Sequence, residues 1–398
     1  MTADPTRPLP LPRFLDLHLL HSLPPHCINR GDDGLPKSAV FGGVPRARVS
    51  SQSWKRATRT AFAGLLDPAE LGVRTRRLVQ ALAETLARHR PDLDATVREQ
   101  AAAATLTAAG LTLEVPRRGK DDAIPQARAL AFLSTAQLDA LAALAAASAD
   151  LGDPAAYFKD KDTAGRARDC ASSQHSVDIA LFGRMVAETP ALTVDAACQV
   201  GHAIGVAPLE NEFDYYTALD DLAVADPTAA DAAMIGTTGF NSATFYRYAT
   251  INLPALQANL GTGLREDQPP RTPTAKAVAA FITAFTRSMP TGRSNAFAPH
   301  TLPSLVLAQW RTAPMSYSGA FEEPVAADAK GGILRLASIA LASHARELQD
   351  AYGAAERSWL LRVGTATDAA QDLGERVASI EDLAQSVATT ITGGEHAA

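Results

Sequence analysis

Two segments with strand-like patterns lie far apart in the sequence, and a long helical block separates them. Residues 13–21 place leucines at every second position, and residues 244–253 are rich in aromatic and β-branched side chains. Both patterns are typical of β-strands. Residues 61–150 are instead rich in Ala and Leu with helical periodicity. This order predicts an α+β fold, in which one sheet carries a large helical insertion, rather than tandem domains.

The shorter elements follow from local signals. Residues 39–49 predict a β-hairpin, because Gly42 and Gly43 can adopt the positive φ of a tight turn. Ser50 and Ser51 then supply an N-cap for a helix that begins at about Gln52. Further along, alternation predicts a strand at 177–183. Helical patterns occur at 193–205, at 273–288 and from 334 to 390.

Composition excludes several classes of protein. The 398 residues are 46% apolar and 20% charged, which excludes collagen-like and intrinsically disordered chains. The three cysteines, Cys27, Cys170 and Cys198, are too far apart for a zinc-binding pattern. The first residues lack the apolar core of a signal peptide, and no apolar run approaches the ~20 residues that a bilayer requires. We therefore predict a cytoplasmic protein with no membrane partner.

Charge is segregated along the chain. Residues 1–60 contain nine Lys and Arg and four Asp, a net charge of +5, so the remaining residues carry −11 of the total of −6. Between Arg184 and Arg247 there is no Lys or Arg. A folded chain of this kind can present a basic stripe, which a phosphate feels within a Debye length of ~8 Å. The negative total therefore does not exclude nucleic acid as a ligand.

The clearest candidate binding feature is the basic stretch RARVSSQSWKRATR at residues 46–59. In a helix from Gln52, this residue shares a face with Lys55 or Arg56 and with Arg59. Backbone N–H groups at residues 51–53 lie at the same end, where the helix dipole favours an anion. The pattern predicts a track for consecutive phosphates, and the alternative is a solvated basic face. Further cations extend the track: Arg30, Lys37, Arg46 and Arg48.

Aromatic residues form a second candidate feature. Tyr215 and Tyr216 lie in an acidic segment without cations, which indicates an apolar wedge against bases or a contact with a basic protein surface. Tyr246 and Tyr248 alternate with Phe245 and Arg247, a pattern that fits either a stacking platform on a sheet or core packing.

Asp32 and Asp33 are the strongest enzyme-like feature. Adjacent carboxylates beside basic residues can hold Mg²⁺ at a phosphodiester, yet the sequence NRGDDG is also ordinary turn chemistry. Walker A, GxGxxG, GxSxG and HExxH motifs do not occur.

Several blocks of sequence resemble one family, the CasC backbone subunits of the type I-E CRISPR surveillance complex Cascade. The block LPPHCINRGDDGLPKSAVFGGVPRARVSSQSWKRATR at 23–59 carries most of the resemblance. Similar blocks follow in the same order: VDIALFGRM at 177–185, FDYYTALDDL at 213–222, FYRYATINL at 245–253 and AFAPHTLPSLVL at 296–307.

The resemblance implies an RRM-like (ferredoxin-like) palm, formed by residues 1–60, 173–202 and 241–398. It further implies helical fingers at 61–172 and a thumb at 203–240. The implied guide-RNA contacts are Arg30, Lys37, Ser51, Gln52, Lys55, Arg56 and Arg59. A wedge into the guide–target duplex would be formed by Met185, Tyr215, Tyr216 and Thr217. This chain has Tyr-Tyr where better-known relatives have Trp-Phe, so stacking area is kept but two hydroxyls require partners.

We therefore predict a non-enzymatic RNA-binding subunit that needs no cofactor or metal. Its implied partners are CRISPR guide RNA, target DNA in the guide–target duplex, further copies of the chain and other Cascade subunits. Two alternatives remain at this point. One is a metal-dependent ribonuclease that uses Asp32 or Asp33, and the other is a scaffold that touches no nucleic acid.

Overall fold

The computed structural model describes residues 13–116, 123–186, 189–218, 234–261, 269–328 and 332–393. In chain order the strands are β1 (Phe14–His26), β2 (Ser38–Phe41), β3 (Val44–Val49), β4 (Gly72–Thr75), β5 (Leu113–Glu114), β6 (Gln126–Ala127), β7 (Ala131–Ser134), β8 (Cys198–Val200), β9 (Ala203–Gly205), β10 (Glu212–Ala218), β11 (Met234–Asn252), β12 (Leu305–Arg311), β13 (Arg357–Arg362) and β14 (Glu375–Arg376).

The helices lie between these strands. They are α1 (Ser51–Ala61), α2 (Leu78–His89), α3 (Ala95–Ala108), α4 (Thr135–Ala149), α5 (Pro154–Tyr157), α6 (Lys161–Ser172), α7 (Val177–Phe182), α8 (Leu253–Leu260), α9 (Thr272–Arg287), α10 (Ser294–Phe297), α11 (Ile333–Tyr352) and α12 (Ile380–Thr392). The fold is α+β, as predicted. No helix of the described ranges is long and apolar enough to cross a bilayer.

Among the described residues, one large sheet joins both sides of the helical block. Its order is β14-β13-β12-β1-β11-β9-β3-β2, and β8 and β10 also pair with β11. β1 is central: it pairs antiparallel with β11 from Phe14 opposite Asn252, and with β12 from Phe14 opposite Arg311. Within the described ranges, only the pairing of β13 with β14 is parallel in this sheet. The two strand-like segments of the sequence thus become neighbours.

β1 supplies side chains to a core on each face of the sheet. Leu15, Leu17 and Leu19 belong to the larger core, which α1, α8, α9 and α12 cover. Asp16, His18 and Leu20 lie on the other face, which α11 and a 3₁₀ turn at Ser318–Phe321 cover. This division follows from the period-two geometry of a strand.

A buried polar network joins the second face to its cover. The Asp16 carboxylate accepts hydrogen bonds from the Tyr248 hydroxyl at 3.1 Å and from the Met315 N–H at 2.8 Å. His18 Nδ1 lies 2.8 Å from the Tyr246 hydroxyl. Burial raises the pKa of Asp16 and lowers that of His18. Tyr246 and Tyr248 therefore serve the core of the protein, and the alternative of a stacking platform is wrong.

The helical block has a core of its own. Apolar side chains of α2, α3, α4 and α6 pack together, with Leu82, Leu106 and Leu141 completely buried. Two small antiparallel pairs, β4 with β7 and β5 with β6, lie within this block. The Ala/Leu periodicity of residues 61–150 correctly predicted helices here, but it did not predict these very short strands.

Three sequence predictions of secondary structure were wrong. Residues 177–182 form helix α7 instead of a strand, and the helix ends at Gly183, whose φ is +77°. The predicted alternation was incomplete, since consecutive residues are buried: Val177, Ile179, Ala180 and Leu181. The segment 193–205 contains β8 and β9, which pair with β11. The segment 334–390 contains β13, which extends the sheet beyond β12. Pairing with an existing strand overrode local preference in both later cases.

The predicted β2–β3 hairpin is confirmed, and its turn is held against a distant segment. Gly42 and Gly43 have φ of +59° and +78°. A methyl group on Gly42 would collide with the Glu322 carbonyl oxygen, whereas one on Gly43 would meet nothing within 4 Å. The left-handed backbone favours glycine at both positions, but only at Gly42 does close packing also leave no room for a side chain.

This difference predicts unequal effects of two alanine substitutions. Gly43→Ala should lower the unfolding free energy by about 1 kcal/mol, the cost of a left-handed backbone. Gly42→Ala should lower it by about 2–4 kcal/mol, because the turn must also move away from Glu322. Urea denaturation of the purified chain measures both values. Equal losses would show that the turn does not pack closely against the segment at Glu322.

Candidate nucleic-acid interface

The head of helix α1 is a well-formed helix terminus. Ser50 is the N-cap, and its Oγ accepts the N–H of Ser53 at 3.3 Å. The first turn contains no acidic residue. The N–H groups of Ser51 and Gln52 have no acceptor within the helix by its geometry, and they add to the positive end of the dipole. The predicted helix is confirmed, with its first residue one position earlier.

The loop between β1 and β2 is tied to this helix head. Asn29 makes the connection, since its Oδ1 accepts the Ser50 N–H at 2.8 Å and its carbonyl oxygen accepts the Lys37 N–H at 2.9 Å. The Lys37 carbonyl in turn accepts the Arg48 N–H at 2.9 Å. Loop, strand and helix head thus form one rigid surface. No motif in the sequence marks Asn29, whose side chain accepts a backbone N–H and carries no charge.

A buried cation fixes α1 on the sheet. The guanidinium carbon of Arg247 lies 3.6 Å from the ring centroid of Trp54 and 4.5 Å from that of Phe285. Arg247 also donates to the Phe285 carbonyl and lies 3.1 Å from His21 Nδ1. Burial lowers the pKa of Arg247 to about 9. Because Trp54 is the buried residue of the first turns of α1, this stack sets where the solvent face of the helix points.

The solvent face of α1 and the neighbouring loop between β1 and β2 carry cations without carboxylate partners. Among the described residues, no acidic side chain lies within 4 Å of the charged groups of Arg30, Lys37, Lys55 and Arg56. The arginines of α2, α11 and β13 are paired, by contrast, as Arg346 is with Asp372. We call the surface formed by loop 29–37 and the head of α1 the basic track.

Arg46 does not belong to the basic track, so that prediction was wrong. Its side chain is completely buried. Its guanidinium donates to the carbonyl oxygens of Gly205, Val206, Phe321 and Glu322, at 3.1 to 3.2 Å. Four carbonyl groups thus compensate the charge that burial desolvates.

Arg59 is engaged within the fold. Its Nε donates to the Asp178 carboxylate at 2.9 Å, its Nη2 donates to the Gly72 carbonyl, and its guanidinium carbon lies 4.5 Å from the Phe132 ring centroid. The side chain of Asp178 is 2% exposed, and the side chain of Arg59 is 32% exposed. Arg59 therefore joins α1 to α7 and to the helical block, a function that its spacing did not reveal.

The predicted wedge residues lie on a β-hairpin arm formed by β10 and the first part of β11. Tyr215 pairs with Thr237, Tyr216 with Gly236 and Thr217 with Ile235. Tyr215 is 65% and Tyr216 40% exposed, and Thr217 is exposed as well. A methyl group on Gly236 would lie 2.5 Å from the Tyr216 ring, so this ring covers the glycine. Residues 219–233 lie outside the described part of the chain.

The root of the hairpin arm packs against the basic track. A methyl group on Gly239 would lie 2.5 Å from Leu35 Cδ2 and 3.6 Å from Pro36 Cδ. Arg293 donates from Nη1 to the Thr238 hydroxyl, and it adopts a left-handed backbone with φ +44°. Burial raises the pKa of the Cys27 thiol, and the charges of Arg293 and Arg30 partly oppose this shift. No pattern in the sequence marks Arg293, because it lies in a Gly/Pro-interrupted region without periodicity.

Within one chain, Met185 lies apart from the hairpin arm. It follows α7, and its side chain is 83% exposed, so it is not packed against the hairpin arm.

Asp32 and Asp33 form a turn. Asp33 Oδ1 accepts the Leu35 N–H at 3.0 Å, and the Gly34 N–H donates to the Gly31 carbonyl. Within the described ranges, no group of three or more His, Cys, Asp or Glu side chains could hold a metal ion.

Comparison with known proteins bears on this arrangement. A family of proteins described as CT1975-like matches residues 15–386. The chain belongs to this family. It is the CasC family, whose members are the non-catalytic, RNA-binding backbone subunits of type I-E Cascade. The predicted family, the predicted function as a Cascade backbone subunit and the predicted lack of catalysis are confirmed, so the ribonuclease and scaffold alternatives are wrong.

Solved structures agree with the family. The chain is 34% identical to a protein from an assembly described as a CRISPR RNA-guided surveillance complex, pre-nicking, with a TM-score of 0.79 over 95% of this chain and 100% of that one. A second, from a CRISPR RNA-guided surveillance complex, is 31% identical with a TM-score of 0.70, over 95% of this chain and 99% of that one. No curated protein matches.

The contacts of Arg59 predict that its removal lowers the stability of the fold. Removal of Lys55, one turn earlier on α1, should have a smaller effect. Arg59→Ala should lower the unfolding free energy by about 1–2 kcal/mol, because the buried Asp178 carboxylate loses its cation while its hydrogen bonds from N–H and O–H groups remain. Lys55→Ala should change it by about 0.5 kcal/mol at most, because its ammonium makes one long cation–π contact, 5.9 Å from the Phe182 ring centroid. Urea denaturation of the two variants measures both changes. If Arg59→Ala were as mild as Lys55→Ala, the ion pair would not hold α1 to α7.

Proposed function

We propose that the basic track holds the sugar-phosphate backbone of the CRISPR guide RNA. The contacts would come from Arg30, Lys37, Ser51, Gln52, Lys55 and Arg56, with Arg59 at the end of the row. The observation that carries this proposal is the set of cations without carboxylate partners beside the free N–H groups of α1. Contacts of this kind position an RNA without reading its bases.

The architecture of the family then maps onto this fold as follows. The large sheet, with residues 1–60, 173–202 and 241–398, is the RRM-like palm, and residues 61–172 are the fingers. The hairpin arm lies within the thumb at 203–240. Copies of the chain polymerise along one guide, and contacts between the basic segment 1–60 and the acidic remainder help to align them.

The hairpin arm would act as a wedge in the guide–target duplex. Tyr215, Tyr216 and Thr217 present exposed apolar and hydroxyl groups next to the basic track. Met185 lies apart from the arm within one chain, so it would join this wedge from a neighbouring copy. Acidic residues on β10, among them Asp214, disfavour a phosphate there. Contact with bases therefore suits the arm better than contact with the backbone.

The first prediction concerns guide binding. The double variant Lys55→Ala, Arg56→Ala should bind guide RNA at least tenfold more weakly at physiological salt. The slope of log affinity against log salt should fall by about 1.4, since each phosphate contact to a single strand contributes ~0.7. Fluorescence anisotropy with labelled guide RNA over a salt series measures both.

The matched control is Lys159→Ala, Lys161→Ala, which removes two exposed cations of the helical block instead. It should leave the salt slope within error of the unchanged protein. An equal decrease in both double variants would show that only total charge matters, and the basic track would then not be the binding site.

The second prediction concerns the wedge. Tyr216→Ala should leave guide affinity nearly unchanged and weaken target-strand capture by the assembled complex by about fivefold to a hundredfold, since base–aromatic stacking contributes ~1–3 kcal/mol. Target binding is measured by gel shift with complementary DNA. Phe213→Ala is the control, because Phe213 is also exposed on β10 but lies near Gly239 at the root of the arm. Equal losses of guide and target affinity would remove the wedge assignment.

A further inference from the structure

Three side chains with basic character meet at the edge of the large sheet, next to the basic track. Arg48 lies on β3, and Lys37 is hydrogen-bonded to it through the backbone just before β2. His202 lies immediately before β9, in which Ile204 pairs with Arg48. Because strand side chains alternate, His202 and Ile204 share the face of the sheet that Arg48 occupies.

The geometry fixes the hydrogen-bonding roles in this cluster. Arg48 Nε donates to the Ser38 carbonyl at 3.1 Å, and its Nη1 lies 3.1 Å from His202 Nδ1. A guanidinium can only donate, so His202 accepts at Nδ1, carries its proton on Nε2 and is neutral. The exposed imidazole, the guanidinium and the Lys37 ammonium thus present hydrogen-bond donors to solvent.

The charges around His202 are of one sign. Burial, Arg48 and Lys37, in this order, lower the pKa of His202. On the other side of β9, strand β11 presents Tyr248, whose carbonyl accepts the Gly201 N–H at 2.9 Å and whose neutral phenol donates to Asp16. Among the described residues, no carboxylate lies within 4 Å of the cationic nitrogens of Lys37 or Arg48. An anion with several acceptor oxygens would complement all three groups at once.

We propose that Lys37, Arg48 and His202 form a binding site for one phosphodiester of the guide RNA, and that His202 takes up a proton when this phosphate binds. The inference rests on the proposed function, because Lys37 belongs to the basic track. We assign the phosphate to the guide rather than to the target strand, since Asn29 ties Lys37 directly to the head of α1.

The sign of the pH dependence follows from this arrangement. Without RNA, two cations oppose protonation of His202. A bound phosphate offsets their charge and accepts from the imidazolium, so it raises the pKa of His202. A group whose pKa is higher in the complex favours binding at low pH. Guide affinity should therefore increase as pH falls from 8 to 5.5, and part of this increase should belong to His202.

The experiment compares the pH profiles of guide affinity for the unchanged chain and for His202→Gln. Anisotropy with labelled guide RNA is recorded from pH 5.5 to 8 at constant ionic strength. We expect the slope of log affinity against pH to be shallower in the variant by up to one unit, which corresponds to one proton. His89→Gln, an exposed histidine of the helical block, is the control and should retain the full slope.

The outcomes separate this inference from the proposed function. If His202→Gln kept the full slope while Lys55→Ala, Arg56→Ala lost affinity, the site at His202 would be overturned and the basic track would stand. If neither variant changed guide binding, the proposed function itself would fail. If the slopes differed only after complementary DNA was added, the phosphate would come from the target strand, which would overturn the assignment to the guide.

Discussion

Strand β11 is the element on which the rest of the structure depends. One half pairs with β1 at the centre of the sheet, and the other half pairs with β10 to form the hairpin arm. Within the half that pairs with β1, Arg247 stacks on Trp54 and so fixes helix α1. The distance between the basic track and the hairpin arm is therefore set by one continuous strand and does not depend on a flexible connection. The contact of Leu35 with Gly239 and that of Arg293 with Thr238 then tie the track to the root of the arm.

Arginines in this protein divide into two groups by their solvation. Arg46, Arg184 and Arg247 are buried, and each donates to backbone carbonyl groups. Desolvation lowers the pKa of Arg184 to about 10 and that of Arg247 to about 9, both still well above neutral pH. Such residues stabilise the fold, since the terminal Nη groups of all three already donate within it. Arg30 and Arg56 remain exposed without carboxylate partners, so their charge is available to a ligand.

The sequence predicted those elements whose two faces differ in residue type. In β1, leucines face one core while Asp16 and His18 face the other, and α1 has one buried and one exposed face, so periodicity and the Ser50 cap located both correctly. α7 is buried on nearly all sides, and β8 and β9 exist because β11 offers them a partner, so their local patterns were misleading. Spacing also could not distinguish Arg46 from Arg48. They lie two residues apart on one strand face, but only Arg46 lies beneath the segment at Phe321 and Glu322. The left-handed Arg293 follows from tertiary packing, which no local motif reports.

Burial of the sheet restricts how this protein can contact bases. Its central aromatic residues cannot stack on nucleotides, because Phe245 faces the larger core and Tyr246 packs against Phe321 under α11. Among the described residues, the large aromatic side chains that remain exposed are Phe213, Tyr215 and Tyr216 on the hairpin arm and Tyr352 at the end of α11. Base contact next to the basic track would therefore come from the arm, while the track offers cations and N–H groups that suit phosphates. This division suits the proposed function, in which the track would hold the RNA backbone and the arm would interrupt stacking beside it, and neither contact would depend on which bases the guide carries.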